Sequence, residues 1–530
     1  MSFSSVSSSF QDLQTESVAP QMELDANSHS RTKWSATLKG LVPVALVISL
    51  LVTAIGWALA SPIDGSPDDD YHLTSIWCPP PLESSGCAAG PVHEDHGKSA
   101  IVPQIIAQGA SCLAFHTETS AACQSAIPED TTGPSYRLDN GYYPPGFYKF
   151  HHLFTSDNVA VSVVLMRMIN AFISIALLGT IIWLSPNRFR QNAVFALLIS
   201  WVPMGIYFIV SNNPTSWALT GIFAYALGLH ASLHQLDWRR WTLLTLALFG
   251  AFIAAEARAD AGFFITVVSI AVWTANTFSK KRVPHIIASV VASIFGVFMM
   301  MSTNHSDLVE SSVESETHYG WMRIIRLILG VPEYFAGMIG YHSGPGWFDV
   351  PLDGPATLFA LLLVGFFFFR GLQDISVRKT LTAVIMLGAL AGIPIVVSLP
   401  LGYVELWQYQ PRYLLPLLAV FFLFWFALPE ISFSLTKSQI AMVVFFSAIV
   451  HAFALNMVLA RYTMGITNEN VPLFPLRSGV TWWWSIPVSP LELWLISSFA
   501  FAITVAIAGI YFARQSNTAE IESQDLSTVD

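Results

Sequence analysis

The chain has 530 residues, 53% of them hydrophobic and only 11% charged, with a mean hydropathy of +0.54. An ordinary soluble domain carries about a quarter charged residues, so this composition describes an integral membrane protein, with the lipid bilayer as its first partner, and excludes a soluble one. The formal net charge of −10 comes without any long basic tract, which sets aside a nucleic-acid partner.

A helix must run through about 20 mostly apolar residues to cross ~30 Å of hydrocarbon while satisfying its own backbone hydrogen bonds. Twelve stretches qualify, which predicts an all-α polytopic protein with about 12 transmembrane helices. Residues 1–38 are polar and read as a disordered terminus. The first span covers 39–60 and is long enough to be a span rather than a signal peptide. A large polar loop, 61–158, separates it from the second span, 159–184. The third and fourth are 192–210 and 215–233. The apolar region 241–278 is too long for one span and is broken by Glu256, Arg258 and Asp260, so it reads as two spans joined by a tight turn. The remaining spans are 284–301, 356–369, 381–399, 413–428, 439–459 and 491–512. Within the second large loop, 302–354, apolar residues at helical spacing around Arg323 and Arg326 predict a helix lying along the membrane interface. Residues 514–530 read as a disordered tail. The transmembrane domain is thus 39–513, with no internal repeat.

Loops on the cytoplasmic side are enriched in Lys and Arg. The clusters Arg188 and Arg190, Arg239 and Arg240, Lys280 to Arg282, Arg370 with Arg378 and Lys379, and Lys437 occupy every second loop. Together with Arg31, Lys33, Lys39 and Arg514 they predict a plasma-membrane protein with both termini cytoplasmic and the 61–158 loop exterior. All four cysteines, Cys78, Cys87, Cys112 and Cys123, lie in that loop, as two disulfides in an oxidising compartment would require. Three pairings exist. Short separation favours Cys78 with Cys87 and Cys112 with Cys123, but sequence does not decide.

Charge in the apolar chain concentrates where Ser66-Pro67-Asp68-Asp69-Asp70-Tyr71-His72 follows the first span. Adjacent carboxylates raise one another's proton affinity toward the range of a general base. A divalent cation such as Mg or Mn held by Asp68 and Asp69 would instead keep both ionised. Both readings stay open, as does a plain turn, since Pro-Asp-Asp is good turn chemistry. Arg412, at the start of a span, is the best phosphate ligand, because a guanidinium forks onto phosphate oxygens; an interfacial anchor is the plainer reading. Arg258 and Asp260 form a second candidate, since ionisable residues among apolar helices are functional by default. Arg167, inside the second span, calls for a carboxylate partner. Tyr143, Tyr148 and Trp347 offer faces on which sugars stack, although packing is the simpler use. His93-Glu94-Asp95-His96 reads as a solvated loop rather than a zinc site, Trp482 to Trp484 as an interfacial belt, and His451 as a hydrogen-bonded core histidine.

The run Pro67 to His72 resembles the Pro-Asp-Glu-x-x-His pattern of the bacterial membrane proteins catalogued as the domain of unknown function 2142 family. Tyr143-Pro144-Pro145, Arg167 to Asn170, Asn213-Pro214, Gly346-Trp347-Phe348-Asp349 and Gln410-Pro411-Arg412-Tyr413 match further motifs in the same order. Asp69 stands where the family usually has Glu, and Pro411 where it usually has Gly. That family is similar in architecture to the GT-C glycosyltransferases. The resemblance implies a GT-C-like fold and transfer of a sugar from a polyprenyl-phosphate donor to a cell-envelope glycan, lipid or protein acceptor on the exterior face. It implies Asp68, Asp69 and His72 as the reacting centre, with Asp349 joining the aromatic residues that line the substrate. A transporter or flippase of a lipid-linked saccharide, or a non-catalytic envelope-assembly protein, is the alternative.

Overall fold

Long apolar runs leave the backbone no partner but itself, and the computed structural model is accordingly mostly helical. It describes residues 22–94, 97–128, 130–304, 320–342, 344–352, 354–372, 375–426, 435–467, 476 and 480–527, with side chains described between 41 and 513. The chain divides into two compact units, Met1–Val47 and Ile48–Asp530, and the side chains discussed below all belong to the second. Residues 1–21 and 528–530 of the two terminal segments lie outside the described residues, as do Asp95, His96 and 305–319.

Helix α1 (Met22–Ala60) is followed by a folded layer comprising α2 (Asp69–Trp77), β1 (Ala100–Pro103), α3 (Gln104–Gln108), β2 (Thr132–Ser135) and α4 (Gly146–His152). Then come α5 (Val159–Leu184), α6 (Asn187–Trp201), α7 (Met204–Ile209), α8 (Thr215–Ser232), α9 (Arg239–Ala255), α10 (Ala259–Ala275) and α11 (Val283–Met301). The remaining helices are α12 (Trp321–Leu329), α13 (Val331–Gly337), α14 (Pro355–Gly371), α15 (Val377–Ser398), α16 (Leu415–Phe426), α17 (Lys437–Met464) and α18 (Pro490–Ser527). Six helices are long and apolar enough to cross a membrane: Leu41–Ala60, Val159–Leu184, Lys280–Met301, Val377–Ser398, Lys437–Met464 and Pro490–Ala513.

The stretch 192–210, expected as one span, is two helices. Pro203 has no N–H and its ring collides with the preceding turn, so α6 stops at Trp201 and α7 starts afresh. The 241–278 region is, as expected, two helices, α9 and α10, turned at Glu256 to Arg258. Every residue of α8 is buried. It packs on α9 at backbone distance, since a Cβ on Gly221 would meet the Gly250 carbonyl at 2.3 Å. Small residues permit such approach, and the close packing it gives replaces the hydrophobic driving force that helices lack in lipid.

The layer between α1 and α5 is held by β1 pairing antiparallel with β2, from Ala100 opposite Ser135 to Pro103 opposite Thr132. Disulfides join Cys78 to Cys87 and Cys112 to Cys123. Thr74 on α2 donates to the Ser135 hydroxyl at 2.9 Å, tying the helix to the ribbon. The amphipathic helix α12 exposes Trp321, Met322, Ile328 and Leu329. Its Arg323 donates to the carbonyls of Ser398, Leu399 and Tyr403, which fixes α12 beside the end of α15, where carbonyls lack helical donors. His451 accepts from Trp57 Nε1 at 3.0 Å and stacks on Phe501, a core histidine as expected. Trp484 donates to the Leu59 carbonyl at 2.8 Å.

Candidate functional site

The site begins with a backbone irregularity. Asp68, the residue before α2, has φ 59° and ψ 19°, and its side chain makes no capping bond to the helix. Aspartate at a helix start normally accepts from the first-turn amides. Here the left-handed conformation, which Asp tolerates better than most residues, turns the carboxylate outward instead. Oδ2 accepts from Arg412 Nη2 at 2.8 Å and Oδ1 from Arg137 Nη2 at 3.1 Å. Arg137 also bonds Asp70, with Nε 3.0 Å from Oδ2. Burial alone would raise Asp68, but Arg412 and Arg137 hold it below the usual carboxylate range.

Arg412 is buried between rings, its guanidinium carbon 4.8 Å from the Phe348 centroid, 5.2 Å from Tyr413 and 5.3 Å from Phe208. Its Nε and Nη1 have no hydrogen-bond partner among the described residues. Arg258 also lies over the Tyr413 ring, at 4.5 Å. Each nitrogen of that guanidinium has a partner, two forking onto Asp260 at 2.9 and 2.7 Å and the third donating to Thr215 Oγ1 at 3.0 Å. Asp260 therefore serves as Arg258's counter-ion.

His72, one turn into α2, bonds Tyr148 Oη through Nδ1 at 2.9 Å, and its ring lies 5.2 Å from Tyr143. Burial, with Arg412, Arg258 and Arg137 nearby, brings His72 down to about 3 despite Asp68, so it is a neutral imidazole. Asp68, His72, Tyr143, Tyr148, Arg258 and Arg412, six residues from four separate stretches of chain, thus cluster together.

Asp69 does not join them. Its neighbour's conformation sends it the opposite way, where Oδ2 accepts from Arg167 Nη2 and the Ser66 amide, each at 3.2 Å. Arg167 also donates to the carbonyls of Ala58, Ser61 and Pro62. This is the carboxylate partner expected of Arg167, used to lock the end of α1 to the start of α2. Burial pushes Asp69 up to about 6 against the pull of Arg167. A cation shared by Asp68 and Asp69 does not fit, because the two carboxylates face different arginines. Among the described residues no group of three or more His, Cys, Asp or Glu side chains gathers around a metal position.

Trp347 and Asp349 likewise lie apart. Trp347 Nε1 donates to the Asp64 carbonyl at 2.9 Å. Asp349 Oδ2 accepts from Arg461 Nη2 at 2.8 Å and from Nε at 3.0 Å. Arg461 also donates to Leu113 and Thr119, so this pair clamps the Cys112–Cys123 loop onto α17. The Gly-Trp-Phe-Asp motif contributes to the site through Phe348 instead. His93 pairs with Gly97 through the backbone and sets its ring against Tyr136.

Arg137 escaped the sequence reading, although it is the one arginine in the 61–158 loop, a signal in so carboxylate-rich a stretch. Asp139 escaped too. It accepts from Tyr71 Oη and from the amides of Tyr142 and Tyr143, and so shapes the Tyr-Pro-Pro turn. Asp64 is fully buried, and burial, reinforced by Asp70 and Asp69, lifts it well above the carboxylate range.

A family model described as a predicted membrane protein, DUF2142, matches residues 50–421. The chain belongs to this family. No curated protein and no solved structure matches it. The DUF2142 match runs from α1 into α16 and takes in Asp68, His72, Arg137, Arg167, Arg258 and Arg412, while Arg461 lies beyond it.

Proposed function

We propose that this DUF2142 protein is a membrane glycosyltransferase, GT-C-like with about twelve spans and cytoplasmic termini. It would move a sugar from a polyprenyl-phosphate donor to a glycan, lipid or protein of the cell envelope at the exterior face of the plasma membrane. The observation that carries the reading is Arg412, a guanidinium whose side chain is 2% exposed and two of whose three nitrogens lack a partner among the described residues. Asp68 already supplies Arg412 with a counter-ion, but buried N–H groups without acceptors are costly, and phosphate oxygens are acceptors a guanidinium forks onto.

Asp68 and the donor phosphate then compete for Arg412. When phosphate draws the guanidinium away, the stronger of the two arginines holding Asp68 low is lost and the carboxylate gains proton affinity. The event that binds the leaving group thereby readies the base. The acceptor hydroxyl gives its proton to Asp68 and its oxygen bonds the anomeric carbon. The carbon–oxygen bond to phosphate breaks with its electron pair going to the phosphate, where Arg412 meets the charge. Arg258, already neutralised by Asp260, packs on Tyr413, the ring that Arg412 also meets.

Purified protein incubated with a panel of polyprenyl-phosphate sugars, with and without divalent cation, tests this by release or transfer of sugar. Asp68→Asn should lower turnover by about 10² to 10⁴ fold, the worth of a general base, and Arg412→Ala should raise the donor KM. Turnover from none of these donors by folded protein would sink the proposal. Movement of an intact lipid-linked saccharide across proteoliposomes would then favour a transporter.

A further inference from the structure

We infer that the cavity between the Cys78–Cys87 loop and the Tyr143-Pro144-Pro145 turn binds the saccharide end of the acceptor, an inference that rests on the glycosyltransferase reading above. The cavity is about 570 Å³, lined among others by Pro81, Glu83, Lys98, Asp139, Tyr143 and Thr303. That volume lies within the ~300–1,000 Å³ of small-molecule sites.

Tyr143 is a wall common to the cavity and to the space around His72, Asp68 and Arg412. A ligand in the cavity is therefore one aromatic ring from the reacting groups. Asp139, 4% exposed, is the acidic group behind that shared wall, and its Oδ1 takes the Tyr71 hydroxyl at 2.8 Å and the amides of Tyr142 and Tyr143. A carboxylate held in this way fixes the Tyr143 turn against which a ligand in the cavity would rest.

Charge separates the two halves of the site. The cavity holds the carboxylates of Asp139 and Glu83, and its cation, Lys98, is engaged by Glu83 at 2.6 Å. That balance repels a phosphate, which belongs at Arg412, and accepts neutral hydroxyl donors. The prolines at 80, 81, 144 and 145 and the Tyr143 ring present flat apolar faces to a sugar's C–H surface. Peptides commonly dock by adding a strand to a free edge, and neither β1 nor β2 lines the cavity.

Saturation-transfer NMR of the full-length protein with neutral disaccharides (cellobiose, maltose and α-linked mannobiose) tests the assignment. At least one should bind, and Leu82→Trp, which fills the cavity from its rim, and Lys98→Trp should each weaken it at least tenfold while the thermal midpoint holds. Equal binding to wild type and both folded variants would overturn the inference. Donor hydrolysis by wild type with no disaccharide bound would overturn it too, leaving the glycosyltransferase reading standing. Neither hydrolysis nor binding would overturn both.

Discussion

Left-handed backbone at Asp68 separates two neighbouring carboxylates by what they meet. Asp68 reaches Arg412 and Arg137 and is held low; Asp69 is sealed against Arg167 and pushed up by burial. The second setting has a sign that can be tested. Asp69 titrates at about 6 in the folded protein, against about 3.9 in an unfolded chain. Its contribution to stability is therefore full below about pH 4 and is lost as pH rises through 6. Asn at this position stays neutral, so the thermal midpoints of wild type and Asp69→Asn should run together near pH 4 and separate by pH 7, with wild type the lower. A variant less stable than wild type at pH 7.5 would contradict the assignment. Arg167→Met leaves the carbonyls of Ala58, Ser61 and Pro62 without this donor and should cost about 1–3 kcal/mol, the penalty of buried acceptors left unmet, measured by unfolding in detergent.

Among the elements, the loops are what tertiary contacts shape most. The Cys112–Cys123 loop closes 11 residues and is clamped a second time by Arg461 through Thr119 and Leu113. Opening the disulfide with Cys112→Ser and Cys123→Ser should cost about 2–3 kcal/mol, as expected for a loop this short. Arg461→Met acts on the same loop, so the combined variant should lose less than the sum of the two, read from melts with and without reductant; strict additivity would mean the two clamps act independently. The break at Pro203 belongs to this scale as well. Apolar content at 192–210 could be read as one span, but a single missing N–H ends α6, and α7 carries Phe208 under Arg412.

For the whole molecule, six helices meet the length and hydropathy of a span, while α8, α9, α10, α14 and α16 hold 18 residues or fewer. A twelve-span arrangement puts residue 157 outside and residues 187 and 280 inside. With the native cysteines disulfide-bonded, impermeant maleimide on intact cells should label Asp157→Cys. Asn187→Cys and Lys280→Cys should react only after permeabilisation, and labelling of either in intact cells would overturn the topology.

Much of this was legible in the chain. Apolar run length marked the helices because the backbone must bond to itself wherever lipid surrounds it, and the confinement of all four cysteines to one loop marked the disulfide layer. Arg167's need for a carboxylate followed from its depth in an apolar helix. Which carboxylate answers it did not, nor did the pairing of Asp349 with Arg461, 112 residues on. A motif records that an acidic residue is present but not the φ angle that aims it. The sequence by itself determined a helical membrane protein with its charge gathered beside the first span. Only the tertiary structure decided that Asp68 faces Arg412 while Asp69 faces Arg167, because the direction of a side chain is set by backbone conformation and distant partners rather than by its place in the chain.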